Sequence, residues 1–188
     1  MVRIVMERED TLPLLGEVFR EFGFEGASLS LIHKQTGIGR GSLYHFFPSG
    51  KEEMAAAVLS NIDAWFEREV FEPLAESAEP EAAIDQMFTS VDAYFRSGKR
   101  VCLVGSFALS DTRDRFAVAL STYFRRWLDA LAAALGRVGF APDRACSLAE
   151  EVVTGIQGAI ILTRTQQDSV FFERSIERLR AATRIEKA

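Results

Sequence analysis

The chain has 188 residues, a net charge of −5, two histidines and two cysteines, which suits a soluble globular protein with a sizeable core, as one unit or a small head plus a larger body. No apolar run approaches the roughly 20 residues of a membrane span, and Met1 to Met6 is too short and too soon followed by acids for a secretory signal, so a cytoplasmic protein with no membrane partner is expected. Cys102 and Cys146 lack metal-like spacing and read as free thiols in a reducing compartment, leaving no metal, disulfide or cofactor to expect.

The first helix is predicted around Leu12 to Phe22, where Leu15, Val18, Phe19 and Phe22 form an apolar stripe that Gly23 closes. Pro13 is expected as its first residue. Two short helices follow around Thr36-Gly37-Ile38-Gly39, because Leu29, Ile32, Leu43 and Phe47 recur at helical spacing on either side. After Pro48-Ser49-Gly50 a long amphipathic helix is expected from Lys51 towards Phe71, with Met54, Val58, Ile62, Trp65, Phe66 and Val70 on one side. Glu72 to Pro80, acid-rich with two prolines, reads as a loop. Beyond it the spacing predicts helices over about Glu81 to Ser97, Cys102 to Leu109, Thr112 to Val138, Asp143 to Gln166 and Ser169 to Ile185. Strand signals and internal repeats are absent, and the fold class is all-α.

Ala27 to Lys51 contains no Asp or Glu, three cations (Lys34, Arg40, Lys51) and both histidines, inside an otherwise acidic chain. Phosphate attraction depends on where positive charge sits, not on its sum. The acids lie elsewhere, on Glu67 to Glu81 and Glu150-Glu151, as solvated faces. A basic pair of short helices is the grammar of a helix-turn-helix, whose second helix enters the major groove while the first crosses the backbone. Gly37 supplies the positive φ of the turn, and Gly39 and Gly41 leave the start of the second helix bare for close approach. Ser28 caps the first reading helix and can also face a phosphate. Arg40 is the side chain best shaped for guanine O6 and N7. Ser42, Tyr44 and His45 share its surface, although a merely satisfied histidine is an even alternative for His45. Lys34 is the phosphate candidate of the first helix, with His33 packing beside it, and Leu43 and Phe47 are core. At Lys51 the helix dipole and the amides of Gly50 and Lys51 form a phosphate seat.

These residues carry a resemblance. GIGRGSLYHFFPSGKEEM resembles the DNA-binding signature of the TetR family of bacterial transcription regulators, and LLGEVFREFGFEGAS resembles the family's first helix and the turn into its second. The likeness covers Thr11 to about Val58. CLVGSFALSD and the aromatic helix ending in RWLDALAAAL resemble the ligand domain of the subgroup whose recognition helix runs into Phe-Pro-x-Gly-Lys. The resemblance implies a three-helix DNA-binding head and a helical ligand-binding and dimerisation domain, with Tyr44 on backbone and thymine methyls and Lys51 as the family's lysine. Two departures stand out. Phe46 replaces a commonly polar His and cannot bond a phosphate, and the N-terminal arm, with only Arg3 and Arg8, offers little to a minor groove.

In the body, Phe116, Leu120, Tyr123, Phe124, Trp127, Leu128 and Leu131 recur on one helix face, which by spacing alone is plain core. The resemblance implies an effector cavity, with Phe88, Phe95, Phe107, Tyr123, Trp127 and Gln157 as its lining and a small, largely apolar or aromatic effector. Cys102 has two readings: corresponding cysteines in some relatives are linked to electrophiles, and Lys99 and Arg100 would activate a thiol, whereas burial makes it an inert small hydrophobe. Gly155, Gly158 and Ala159 either let a second backbone approach or simply fit the monomer's own core; taken with Phe171, Phe172, Ile176 and Leu179, which need cover, they favour a homodimer through a four-helix interface.

The expected division is a DNA-binding domain over 1–50 and a ligand-binding and dimerisation domain over 51–188, with 51–71 as connecting helix. The expected function is a ligand-responsive transcriptional regulator: a repressor on a palindromic double-stranded operator, released by its effector. The alternative is a helical ligand-binding or adaptor protein that has lost specific DNA binding. Enzymatic activity is not expected, since both histidines lie in the head and no nucleophile-base pair or phosphate loop occurs.

Overall fold

Helix α1 (Arg8–Gly26) starts at Arg8 and not at Pro13, because the Glu7 N–H donates to the Asp10 carboxylate at 2.9 Å and Glu9 and Asp10 sit at the positive end of the dipole. Pro13 lies inside the helix. Gly23, at φ 68 and ψ 174, breaks the helical backbone where the apolar stripe was expected to close, and a further short turn carries α1 on to Gly26. The computed structural model describes residues 7–185, and among these no strand occurs. Helices α2 (Leu29–Thr36), α3 (Arg40–Phe46) and α4 (Lys51–Phe66) follow. The predicted helix after Lys51 is present and runs on without a break: α4 passes through a π turn over Glu67–Phe71 into α5 (Glu72–Glu76). The first half of the expected loop is therefore helical. Pro73 falls in the first turn of α5, where a missing N–H costs nothing, and the Arg137 guanidinium donates to the Ala75 carbonyl at 2.7 Å and to the Leu74 carbonyl, closing the helix. Then come α6 (Pro80–Phe95), α7 (Leu103–Ala108), a 3-10 turn over Asp111–Phe116, α8 (Ala117–Val138), α9 (Pro142–Gln166) and α10 (Val170–Ala182).

The chain forms two compact units. One holds the residues through Asp63 together with Leu103–Leu120; the other holds Ala64–Cys102 and the residues from Ser121 onward. By packing, then, the head is larger than 1–50 and takes in α7 and the 3-10 turn. Its core is Leu15, Phe19, Ile32, Leu43, Phe47 and Met54, all essentially without solvent contact. Beside it Phe24 meets Phe116 at 5.7 Å and Phe107 at 6.1 Å, both edge-on, with Phe107 and Phe116 5.5 Å apart. Edge-on pairs favour the ring quadrupoles beyond their area burial.

The second unit is organised on Phe66, whose ring lies 5.0 Å from Tyr123, 5.3 Å from Trp127, 4.9 Å from Tyr94 and 6.3 Å from Phe95. The π turn brings Phe71 to 5.9 Å from Phe66 and 5.8 Å from Tyr123. Glu67 in that turn pairs with Arg126, whose guanidinium lies 5.0 Å above Phe71. The aromatic face of α8 is thus core, as its spacing alone implies.

Helix α9 corrects one expectation. By length and composition it is apolar enough to cross a membrane, with a mean hydropathy of 1.4 over its richest window, of which 44% is buried inside the protein. Its alanines, valines and isoleucines serve the core: Leu148, Val152, Ile156 and Ala159 are buried. A second expectation also changes. A Cβ on Gly155 would come within 2.9 Å of Leu179, so this glycine admits α10 of the same chain, while one on Gly158 would meet nothing. Phe172 and Ile176 are likewise covered within the chain, and Phe171 remains 39% exposed.

Phe66→Ala is expected to lower stability by about 3–5 kcal/mol, because the ring's neighbours cannot collapse into the space it leaves. Chemical denaturation followed by circular dichroism at fixed protein concentration measures it; a change of less than about 1 kcal/mol would deny Phe66 its central place.

Candidate nucleic-acid interface

The reading surface is assembled by caps and a tight turn. Ser28 precedes α2 in extended conformation, and its Oγ accepts the Leu31 N–H at 3.2 Å. Gly37 ends α2 at φ 71, donating its N–H to the His33 carbonyl at 2.9 Å. Within the turn, Thr36 Oγ1 donates to Ile32 O at 2.7 Å and accepts the Ile38 N–H at 3.2 Å. A buried Ile38 anchors the turn from below. Left-handed backbone is what a Cβ resists, so the sequence position of Gly37 is dictated by the turn.

Helix α3 has two sides. Leu43 is buried, as is Phe47 just beyond the helix, at 1% and 0% exposure, while Gly39, Arg40, Gly41, Ser42, Tyr44 and His45 all face solvent. Ser28 and Lys34 add to the exposed set from the α2 side. Tyr44 is half exposed, leaving part of a large ring open to solvent. The free protein gives no packing reason for Gly41, because a Cβ there meets nothing within 4 Å. Glycine inside a helix costs about 1 kcal/mol relative to alanine. The fold itself therefore does not need a bare helix start at Gly41.

The residue at the next helix start is engaged differently from expectation. Lys51 Nζ donates to the Phe24 carbonyl at 2.7 Å, lies 4.3 Å from the Phe24 ring and 3.9 Å from Glu25. The Gly50 N–H donates to Phe47 O at 2.9 Å, and the Ser49 N–H to Glu53 Oε2 at 2.8 Å. One of the three ammonium protons of Lys51 and the Gly50 amide are thus engaged within the free protein, and Lys51 ties α4 to α1. Arg8 is also engaged by its own chain: its Nε donates to Phe46 O at 3.2 Å and its guanidinium lies 4.8 Å from the Phe47 ring. Arg3 lies outside the described residues. His33 is exposed and does not pack, with Nδ1 2.7 Å from Ile38 O. Ser30, which carries no sequence signal, accepts from Arg40 Nη2 at 2.8 Å.

The effector candidates divide between the units. Phe88, Phe95, Tyr123 and Trp127 are buried in the second, where Trp127 Nε1 donates to Met87 Sδ at 3.5 Å and the Arg180 guanidinium stands 5.5 Å from the Phe88 ring. Phe107 belongs to the first unit's aromatic cluster. Gln157 Nε2 is buried without a hydrogen-bond partner. Cys102 is buried and Cys146 exposed, and neither forms a disulfide. Arg100 is held on Tyr94, 4.7 Å from its ring.

Comparison with known proteins returns regulators throughout. Residues 16–58 match the family described as bacterial regulatory proteins, tetR family, and residues 80–178 match the LmrA/YxaF-like transcriptional regulator C-terminal domain. The chain is 28% identical over 165 residues to the HTH-type transcriptional regulator YxaF of Bacillus subtilis, covering 86% of each. It is 30% identical over 159 residues to an HTH-type transcriptional regulator of Mycobacterium tuberculosis, covering 80% of each. In fold it is similar to a TetR transcriptional regulator from Legionella pneumophila, with a TM-score of 0.81 at 21% identity over 96% of this chain and 99% of that one.

Gly41→Ala separates stability from binding. The substitution is expected to stabilise the free protein by up to about 1 kcal/mol while weakening its binding to duplex DNA. Thermal unfolding and an anisotropy titration measure the two; unchanged DNA affinity would mean that nothing approaches this backbone.

Proposed function

The chain belongs to the tetR family of bacterial regulatory proteins and is a helix-turn-helix transcriptional regulator, not an enzyme, and from that premise we propose that it is a homodimeric repressor of a palindromic operator, released by a small effector. The observation that carries this reading is the acid-free, exposed surface of α2 and α3, on which Arg40, Ser42, Tyr44 and His45 stand over a buried Leu43. In this reading Arg40 pairs with a guanine edge, Tyr44 meets sugar-phosphate or a thymine methyl, and Ser28 and Lys34 take phosphates. Ser42 and His45 supply further polar contacts, and Gly39 and Gly41 allow the helix start to sit close. Lys51 holds α4 and α1 together through one ammonium proton, which leaves the others for a phosphate. Such a protein works in the cytoplasm, where its DNA is.

One short recognition helix touches few bases, so a two-fold pair of heads on a palindrome is the geometry that gives specificity. Ile161 and Leu162 on α9, exposed at 56% and 48%, together with Phe171 and the open Gly158, support a partner face on α9 and α10. DNA binding is assigned to the N-terminal reading helices and effector and dimer functions to the helical remainder, with α4 the covalent link. An effector releases DNA only if it binds the DNA-incompetent state more tightly. Its site is assigned to the aromatic interior of the second unit, with Phe88, Phe95, Tyr123 and Trp127 offering apolar surface, Gln157 an unmatched amide donor and Cys102 a buried thiol. The effector is thus small and largely apolar or aromatic, with one hydrogen-bond acceptor for Gln157.

Selection of bound sites from random duplex DNA, followed by anisotropy at several salt concentrations, tests the reading. An enriched palindrome whose affinity falls steeply with salt is expected. Lys34→Ala is expected to weaken all duplexes alike and to flatten the salt dependence, whereas Arg40→Ala costs about 1–3 kcal/mol at one base pair per half-site. A pool without enrichment would favour the ligand-binding or adaptor alternative. Gln157→Leu probes the effector site in the free protein: removing an unmatched buried donor is expected to raise stability by about 1 kcal/mol. A lowered melting temperature would show that the amide is already satisfied.

A further inference from the structure

Ser30 and His33 stand three residues apart on α2, hence on one side of it, and each reaches the beginning of α3. Arg40 Nη2 donates to Ser30 Oγ at 2.8 Å. His33 Nδ1 is 2.7 Å from the Ile38 carbonyl oxygen, and since a carbonyl only accepts, the proton lies on Nδ1. Ile38 and Arg40 flank Gly39, the N-cap of α3, which has no side chain to fix the first turn. The imidazole caps no helix amide; it pins the residue before the N-cap by donating to its carbonyl. The serine acts on the reader itself: an exposed guanidinium samples many rotamers, and one bond to Ser30 restricts it while leaving Nη1, Nε and the second Nη2 proton for a base.

We propose that Ser30 and His33 are positioning residues that set base discrimination by presetting the Arg40 guanidinium and the Ile38 carbonyl, the last backbone group before the N-cap of α3. The proposal rests on α3 being the helix that enters the groove. Neither residue needs to touch a base. A side chain held in place before binding discriminates better, because a wrong base then cannot be accommodated by a swing of the reader.

The probes are the duplex enriched from the random pool, its single-base variants and an unrelated duplex of equal length. Ser30→Ala is expected to reduce, roughly tenfold, discrimination at the same base pair that Arg40→Ala affects, with affinity for the unrelated duplex unchanged. The double variant is expected to be no worse than Arg40→Ala alone, and Ser30→Thr, which keeps the hydroxyl, to retain discrimination. His33→Ala is expected to blur every position read by α3, and His33→Asn, which keeps a donor where Nδ1 was, to restore it. Equal weakening of all duplexes by Ser30→Ala would make Ser30 a phosphate contact and overturn the proposal, as would additive losses in the double variant or a His33→Asn no better than His33→Ala. If the unaltered protein enriches no duplex, the regulator reading fails and this proposal with it, a result distinct from discrimination that is present but indifferent to Ser30.

Discussion

A helix of seven residues does not persist alone in water, because nucleation costs more than one or two turns return. Helix α3 therefore exists only because Leu43 and Phe47 are buried in the head, and everything offered to a partner follows from that anchoring. Two apolar side chains face inward, and by the geometry of the helix the residues between them face outward. In the turn before α3, Thr36, Gly37 and His33 bond backbone groups of Ile32, Ile38 and His33 within the chain, which fixes the turn without a partner. The surface is held ready before any partner arrives.

The same economy governs charge. The acids of the chain outnumber its bases, yet those nearest the reading helices are engaged: Glu53 on the Ser49 amide, Glu25 near Lys51, Glu52 near Arg115. Positive charge on α2 and α3 is thus left without acidic neighbours on its own face. In the second unit, by contrast, cations are structural. Arg126 covers Phe71 and pairs with Glu67, Arg137 closes α5, and Arg180 and Arg184 share Asp85.

What could be read from the chain in advance was what depends on near neighbours. Ser28 as a cap, Gly37 in the left-handed region and the recognition helix opening at Arg40 rest on local backbone chemistry. The all-helical class follows from apolar spacing. What could not be read depends on distant partners. Lys51 looks like a phosphate ligand alone until the Phe24 carbonyl, 27 residues away, is known to take one of its ammonium protons. Phe107 looks like cavity lining until Phe24 and Phe116 claim it, and Gly155 looks like a dimer contact until Leu179 fills the space above it. Pro13 and Pro73 misled in opposite directions: one sits inside a helix already begun, the other opens one where a loop was expected.

The aromatic cluster of the first unit draws Phe19 and Phe24 from one stretch of the chain and Phe107 and Phe116 from another. The head is therefore not a cassette. A hybrid regulator made by joining the first sixty or so residues of this chain to a relative's body would expose Phe19 and Phe24 to rings they did not evolve with. Operator specificity could then be exchanged cleanly only by carrying two pieces of chain together, or by rewriting the outward residues of α2 and α3 in place.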